Sequence, residues 1–169
     1  MAGGGIEPAA AEERSALWKR LAAEPVAMLV TRDASGMPIA RPVQPVRVED
    51  GRLWIFTAVD GDIARDIERG ADVHVVYANQ QRELFVSLNG SARLVLDPQK
   101  AREVWSPLAG AWYPAGPDDT NLALVRIDVD RGDYWDMKDA RLVRFFKLAA
   151  AAVTGVPPDD VATHRRFEQ

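Results

Sequence analysis

The run from Met37 to Val48 reads as a strand, yet it contains Pro38, Pro42 and Pro45. Proline has no backbone N–H, so each one removes a donor from the sheet ladder. Such a strand cannot sit in the middle of a regular sheet. It must run along an edge, carry a bulge, or lie against a ligand. Its neighbours fix the local topology. Val26 to Arg32 is a short apolar run of strand type, and Asp33-Ala-Ser-Gly36 is a turn whose glycine can take a positive φ. On the other side Glu49-Asp-Gly51 turns the chain into Leu53-Trp-Ile-Phe-Thr57, rich in β-forming residues. The first half of the chain is therefore a three-strand meander whose middle strand is interrupted.

The flanking segments change period. Pro8 suits a first helical turn, and Leu17, Trp18 and Leu21 give an apolar helical face that stops before Pro25. Asp60 to Gly70 predicts a short helix with Ile63, Ala64 and Ile67 inward. Val73 to Tyr77 is a strand, followed by a polar turn and a long strand from Glu83 to Leu96, with Asn89-Gly90 as a bulge or bend. Asp97-Pro98 is an N-cap followed by proline at the first helical position, opening a helix through Trp105. A loop over 106–120 precedes two further strands, Leu122 to Asp128 and Asp133 to Met137, and a helix from Leu142 to Val153. Strands without regular βαβ alternation predict a mainly β, antiparallel barrel of six to seven strands with peripheral helices. Residues 1–7 read as a disordered arm, 8–155 as one domain and 156–169 as a tail.

Composition narrows the chemistry. The 169 residues carry a net charge of -4, which argues against a broad nucleic-acid-binding face. There is no cysteine, so disulfides, thiolate chemistry and cysteine-based zinc sites are excluded. The two histidines, His74 and His164, fit no metal-ligand spacing. No apolar run is long enough for a membrane helix, and the N-terminus lacks the pattern of a secretory signal, so a cytoplasmic protein is expected. Dinucleotide, phosphate-loop, metalloprotease and nucleophile-elbow motifs are all absent.

Three segments are left to carry chemistry. Arg41-Pro-Val-Gln44 puts a guanidinium, which can fork onto a phosphate or carbonyl, in the proline-bearing strand. Trp54-Ile-Phe-Thr57 leads into Asp60-Gly61-Asp62, where a helix N-terminus offers N–H groups to an anion. Asp133-Tyr-Trp-Asp136 pairs two aromatics suited to an interface or a planar ligand. Bland alternatives stand beside each: a solvated arginine, an ordinary cap, a core tryptophan.

Taken together the segments resemble the pyridoxamine-phosphate-oxidase-like FMN-binding split barrels, in particular their bacterial general-stress-protein branch. The resemblance rests on Met28-Leu-Val-Thr31, Gly36-Met-Pro38 with Arg41-Pro42, Leu53 to Thr57, Val86-Ser-Leu-Asn-Gly90 and Trp105-Ser-Pro-Leu108. It continues through Ala111-Trp-Tyr-Pro114, Leu122 to Arg126, Tyr134-Trp-Asp136 and Ala150 to Gly155, all in the family's order over about residues 12–155. It implies a split β-barrel homodimer with FMN, or else FAD, between subunits. By that analogy Arg41, Val43 and Gln44 lie along the flavin, while Phe56 and Thr57 approach its ring and ribityl-phosphate side. Gly61, Asp62 and Ile63 fall at the phosphate, Trp112 covers the ring and Trp135 arrives from the other subunit.

Two departures stand out. Relatives commonly carry Ser-x-Lys at the phosphate, where this chain has Gly61 and Ile63, flanked by Asp60 and Asp62. Losing one charge-assisted contact costs about 1.5–3 kcal/mol, leaving Arg65 or Arg41 as substitutes. The basic Arg-x-His segment that grips substrate in true pyridoxine-phosphate oxidases is also missing after Trp135, and His164-Arg-Arg166 sits in the tail, which argues against vitamin B6 oxidation. Three functions stay open: a flavin-dependent oxidoreductase on a small molecule, a non-enzymatic flavin carrier or redox sensor, and a barrel that holds another planar ligand such as haem. Trp18, Trp105, Trp112, Tyr113 and Trp135 exceed what one small core needs, which supports a dimer.

Overall fold

A computed structural model of the chain describes residues 7–136 and 163–169. The elements are β1 (Glu7–Pro8), α1 (Ala11–Ala22), β2 (Ala27–Arg32), β3 (Pro38–Val43), β4 (Pro45–Glu49), β5 (Arg52–Ala58) and α2 (Asp62–Arg69). Then come β6 (Asp72–Asn79), β7 (Leu84–Val95), α3 (Pro98–Val104), a 3-10 turn at Ala109–Ala111, β8 (Leu122–Asp136) and β9 (Thr163–Glu168). The expected helix over 142–153 lies outside the described residues.

The proline-bearing strand resolves the constraint it posed by breaking in two. Pro38 to Val43 pairs only with β2, and Pro45 to Glu49 pairs only with β5, with Gln44 between them and a register shift after Pro45. Hydrogen-bonded neighbours run β3-β2-β6-β7-β8-β5-β4, so the path starts and ends on the two halves of one kinked segment. The sheet thereby curls back on itself as an antiparallel split barrel, and the kink at Gln44 is its seam. Every pair in that path is antiparallel.

Strand alternation fills the interior. Leu29, Val75, Tyr77, Val86, Leu88, Val125 and Ile127 point inward and are all but fully buried. Helix α1 closes one end with Leu17, Trp18 and Leu21, the apolar face read from the sequence, and Trp18 meets Phe167 edge-on at 6.0 Å. The bulge falls between Asn89 and Gly90, as expected. Asp97 caps α3 as expected, accepting from the backbone N–H groups of Gln99 at 2.9 Å and Lys100 at 3.0 Å.

Three local expectations change. Pro8 belongs to β1, which pairs in parallel with β9, and α1 begins only at Ala11. The two strands expected over 122–128 and 133–137 are one 15-residue strand, β8. Residues 163–168, read as part of a tail, form β9 along the second half of β8. Gly132 explains the last two together. A Cβ there would lie 2.3 Å from the Phe167 ring, so this glycine is a strand position against which β9 packs, not a break.

Candidate functional site

The seam of the barrel opens into a cleft of about 460 Å³, within the usual range of small-molecule sites. Pro42, Val43, Gln44 and Val46 come from the β3–β4 kink, Phe56 and Thr57 from the end of β5, and Ile63 from α2. Pro25 and Val26 enter just before β2, and Leu108, Ala109, Trp112 and Tyr113 enter from the 3-10 segment. Nearly all of these side chains are apolar or aromatic. Phe56 is held between Trp105 (5.5 Å between ring centroids) and Tyr113 (6.0 Å), which makes a fixed aromatic wall. Trp112 is 76% exposed and Leu108 55%, so on that side the cleft is open.

Polar character is confined to a few groups. Thr57 is buried, 6% exposed, at the end of β5. The turn that follows brings the Gly61 N–H onto the Ala58 carbonyl at 3.0 Å, and Gly61 begins α2 with no side-chain cap. A Cβ at Gly61 would stand 3.1 Å from that carbonyl, so a small residue keeps the turn tight. Among the described residues Tyr113 is the one titratable lining residue. Burial raises its phenol above the ordinary value and the negative charge of Asp119 adds to this, so it stays a neutral hydroxyl at neutral pH.

Six of the ten residues expected at a cofactor meet in this cleft: Val43, Gln44, Phe56, Thr57, Ile63 and Trp112. Gly61 and Asp62 sit beside Ile63 at the start of α2 without lining it, and Asp62 pairs with Arg65 at 2.5 Å. Arg41 faces elsewhere. Its Nη1 is 2.9 Å from Oδ2 of Asp66 and donates to Thr31 Oγ1 at 2.6 Å, while Thr31 donates to the same Asp66 oxygen at 2.7 Å. Arg69 closes the second Asp66 oxygen at 3.0 Å. This network ties β3 to α2, the elements that carry Val43 and Ile63.

Trp135 lies on the outer face of β8, outside the cleft. Its ring stacks on His164 at 4.8 Å with 10° between planes, and His164 Nε2 is 2.9 Å from Asp133 Oδ1, which also accepts from Arg166 Nε at 2.8 Å. Sequence reasoning missed this group because only the pairing of β9 with β8 brings residues 164 and 166 to residues 135 and 133. It also left out Pro25, Val26, Val46, Leu108 and Ala109 as lining residues, because an isolated apolar side chain gives no signal of whether it faces a cleft or a core. His74 is a half-buried strand residue bonded to Asn89 at 2.9 Å and Ser87 at 3.2 Å.

Among the described residues no group of three or more His, Asp or Glu side chains is placed to hold a metal, and no helix is long and apolar enough to cross a membrane. The apolar, aromatic-walled cleft fits a flat heteroaromatic ring. The kink at Gln44 interrupts the ladder where such a ring would need backbone polar groups.

Known proteins share this architecture. A crystal structure of a protein from Jannaschia sp. CCS1 superposes with a TM-score of 0.74 at 22% identity, covering 95% of this chain and 100% of that one. The general stress FMN/FAD binding protein from Xanthomonas citri gives a TM-score of 0.68 at 31% identity, covering 78% of this chain and 93% of that one. Protein bli-3 of Neurospora crassa is 21% identical over 141 residues, 77% of this chain and 68% of its own length. The family model described as pyridoxamine 5'-phosphate oxidase like matches residues 12–159, nearly the whole of the barrel and its flanks, and this chain belongs to that family.

Proposed function

We propose that this protein binds a flavin, FMN or FAD, in the seam cleft, acts as a homodimer of the general-stress type, and serves as a flavin-dependent oxidoreductase for a small molecule. The observation that carries the proposal is the cleft itself: Phe56, Tyr113 and Trp112 form aromatic surfaces beside Val43, Gln44 and Thr57, at the kink where the proline-bearing strand breaks in two. In this reading Phe56 and Val43 pack on the ring, Gln44 and the kink meet its polar edge, and Thr57 faces the ribityl chain. Bound flavin supplies hydride chemistry, so the protein contributes orientation and water exclusion and needs no side-chain base. Neutral Tyr113, the single titratable lining residue among the described residues, suits that division of labour.

The homodimer reading draws on apolar surface away from the cleft. Met28 of β2 and Trp135 of β8, each 37% exposed, share the outer sheet face with Val76 and Phe85. A second copy seated there would cover this exposed apolar face.

Purified protein should be yellow, or apo protein should take up FMN or FAD with the quenching of flavin fluorescence that ring stacking produces. Absence of binding at tens of micromolar flavin would remove the proposal. A second reading, a flavin carrier or redox sensor, fits the same lining equally, since among the described residues no ionised side chain lines the cleft. Stopped-flow reduction by NADH or NADPH separates the two, since a carrier shows negligible turnover.

A further inference from the structure

The rim of the cleft is built differently from its wall. Phe56 is packed between Trp105 and Tyr113, so that wall is closed and rigid. Val26, Leu108 and Trp112 line the same cleft, yet each is more than half exposed. Among the described residues they are three of the eight large apolar side chains left open to solvent. Scattered singly such side chains mean little, but gathered around one concave opening they mark a binding surface. The rim is also ordered. The backbone N–H groups of Trp112 and Tyr113 both donate to the Ala109 carbonyl at 3.0 Å, and the Gly116 N–H donates to the Tyr113 carbonyl at 2.9 Å. Trp112 therefore stands on a fixed turn whose next side chain is packed against Phe56, and a flat ligand stacking on it gains contact at little cost in ordering. Charge narrows the ligand further. Among the described residues no ionised side chain lines the cleft, and the lining residue Tyr113 stands near the negative charge of Asp119. An anionic group drawn into this opening would lose hydration and meet no cation in return.

Resting on the flavin reading, we infer that Val26, Leu108 and Trp112 form the substrate subsite of the cleft, and that its substrate is a flat, uncharged, apolar ring compound of the quinone class. Trp112 is the stacking platform, and the uncharged lining excludes phosphorylated, sulfonated or carboxylated rings. Reduction of a quinone by NADH or NADPH takes up one further proton and yields a hydroquinone and the oxidised nicotinamide. Quinone and hydroquinone are both neutral, so substrate and product alike suit a rim without ionised groups.

The test is equilibrium dialysis of the full-length protein, loaded with oxidised FMN or FAD and checked for occupancy by flavin absorbance, against naphthoquinone and against naphthoquinone sulfonate. With no reductant present nothing turns over, and the chain has no cysteine thiol for a quinone to add to. The neutral quinone should bind about tenfold or more tightly than the sulfonate. Trp112→Ala should weaken the neutral quinone about tenfold, and Trp112→Phe should keep most of its affinity. Leu108→Lys places a cation on the exposed rim and should draw the sulfonate in by about threefold or more, an effect that fades with salt. Sulfonate bound as tightly as the neutral quinone by the native sequence would overturn the inference while sparing the flavin reading. Quinone affinity unchanged in Trp112→Ala at full flavin occupancy, or sulfonate affinity unchanged in Leu108→Lys, would do the same. A protein that takes up neither flavin would remove the inference together with the reading beneath it.

Discussion

Asp66 is 4% exposed and carries three partners, Thr31, Arg41 and Arg69, on its two oxygens. A buried carboxylate so satisfied fixes geometry more than it adds net stability, but deleting it strands a partly buried guanidinium. Asp66→Ala should therefore cost about 3 kcal/mol, read as a lower urea midpoint. It should also weaken flavin binding, because β3 and α2 lose the tie that sets the width of the cleft. Tyr77 presents the opposite case. It is 1% exposed, its hydroxyl has no hydrogen-bond partner among the described residues, and burial, with the nearby charge of Glu24, pushes its phenol far above the ordinary value. In the unfolded chain that phenol ionises near pH 10. Above that pH the unfolded state releases a proton that the folded state keeps, so stability falls as pH rises. Tyr77→Phe should be neutral or stabilising by up to about 1 kcal/mol at pH 7 and should flatten the alkaline limb of a stability-against-pH curve above pH ~10. At this scale the family resemblance, not the local pattern, points to Val43, Gln44, Phe56 and Thr57, and the fold brings these four together in one cleft. It does not show that Arg41 is committed to Asp66. A guanidinium reads the same whether it faces a phosphate or a carboxylate 25 positions further along the chain.

Most elements follow from period and punctuation: the apolar face of α1, the Asp97-Pro98 start of α3, and the bulge at Asn89-Gly90. The bulge is tightly set. A Cβ on Gly90 would lie 2.1 Å from the Asp128 carbonyl oxygen, a main-chain atom that cannot swing aside. Gly90→Ala must push β7 and β8 apart at their crossing and should cost about 1–3 kcal/mol. Thermal unfolding checks the loss, and hydrogen exchange should show it concentrated in Ser91 to Val95 and Leu122 to Asp128, the half of the pair beyond the bulge. What the local pattern conceals is length and pairing. Gly132 looks like a breaker, yet it is the position where the Phe167 ring needs room, so two expected strands are one. Residues 163–168 alternate in the polar-rich sequence Thr-His-Arg-Arg-Phe-Glu, with Phe167 as their single buried apolar anchor. One anchor is too weak a periodic signal, and pairing with residues of β8, from Asp136 opposite Thr163 to Arg131 opposite Glu168, decides the matter.

For the whole molecule the barrel follows from the sequence because a meander with an interrupted middle strand has few ways to satisfy its backbone. Assembly is a separate question, and the proposed homodimer rests on what the outer faces carry. Met28, Val76, Phe85 and Trp135 lie on adjoining strands of one face, with Met28 opposite Val76 and Phe85 opposite Trp135 in the ladder. Trp135 is held flat by His164, itself anchored on the 7% exposed Asp133, so this aromatic is ordered before any partner arrives and loses little entropy on docking. Ordered aromatics near the centre of a patch are the groups that dominate an isologous interface. The native protein should then sediment at about twice the 18.6 kDa chain mass, and Met28→Glu combined with Trp135→Glu should yield single chains with unchanged far-ultraviolet dichroism. If the cleft is completed by the second copy, those single chains should also lose most of their flavin affinity, although neither residue lines the cleft of its own chain. A species of one chain mass at every concentration for the native sequence would defeat the assembly. Single chains that keep full flavin affinity would leave the cleft as a site complete in one copy.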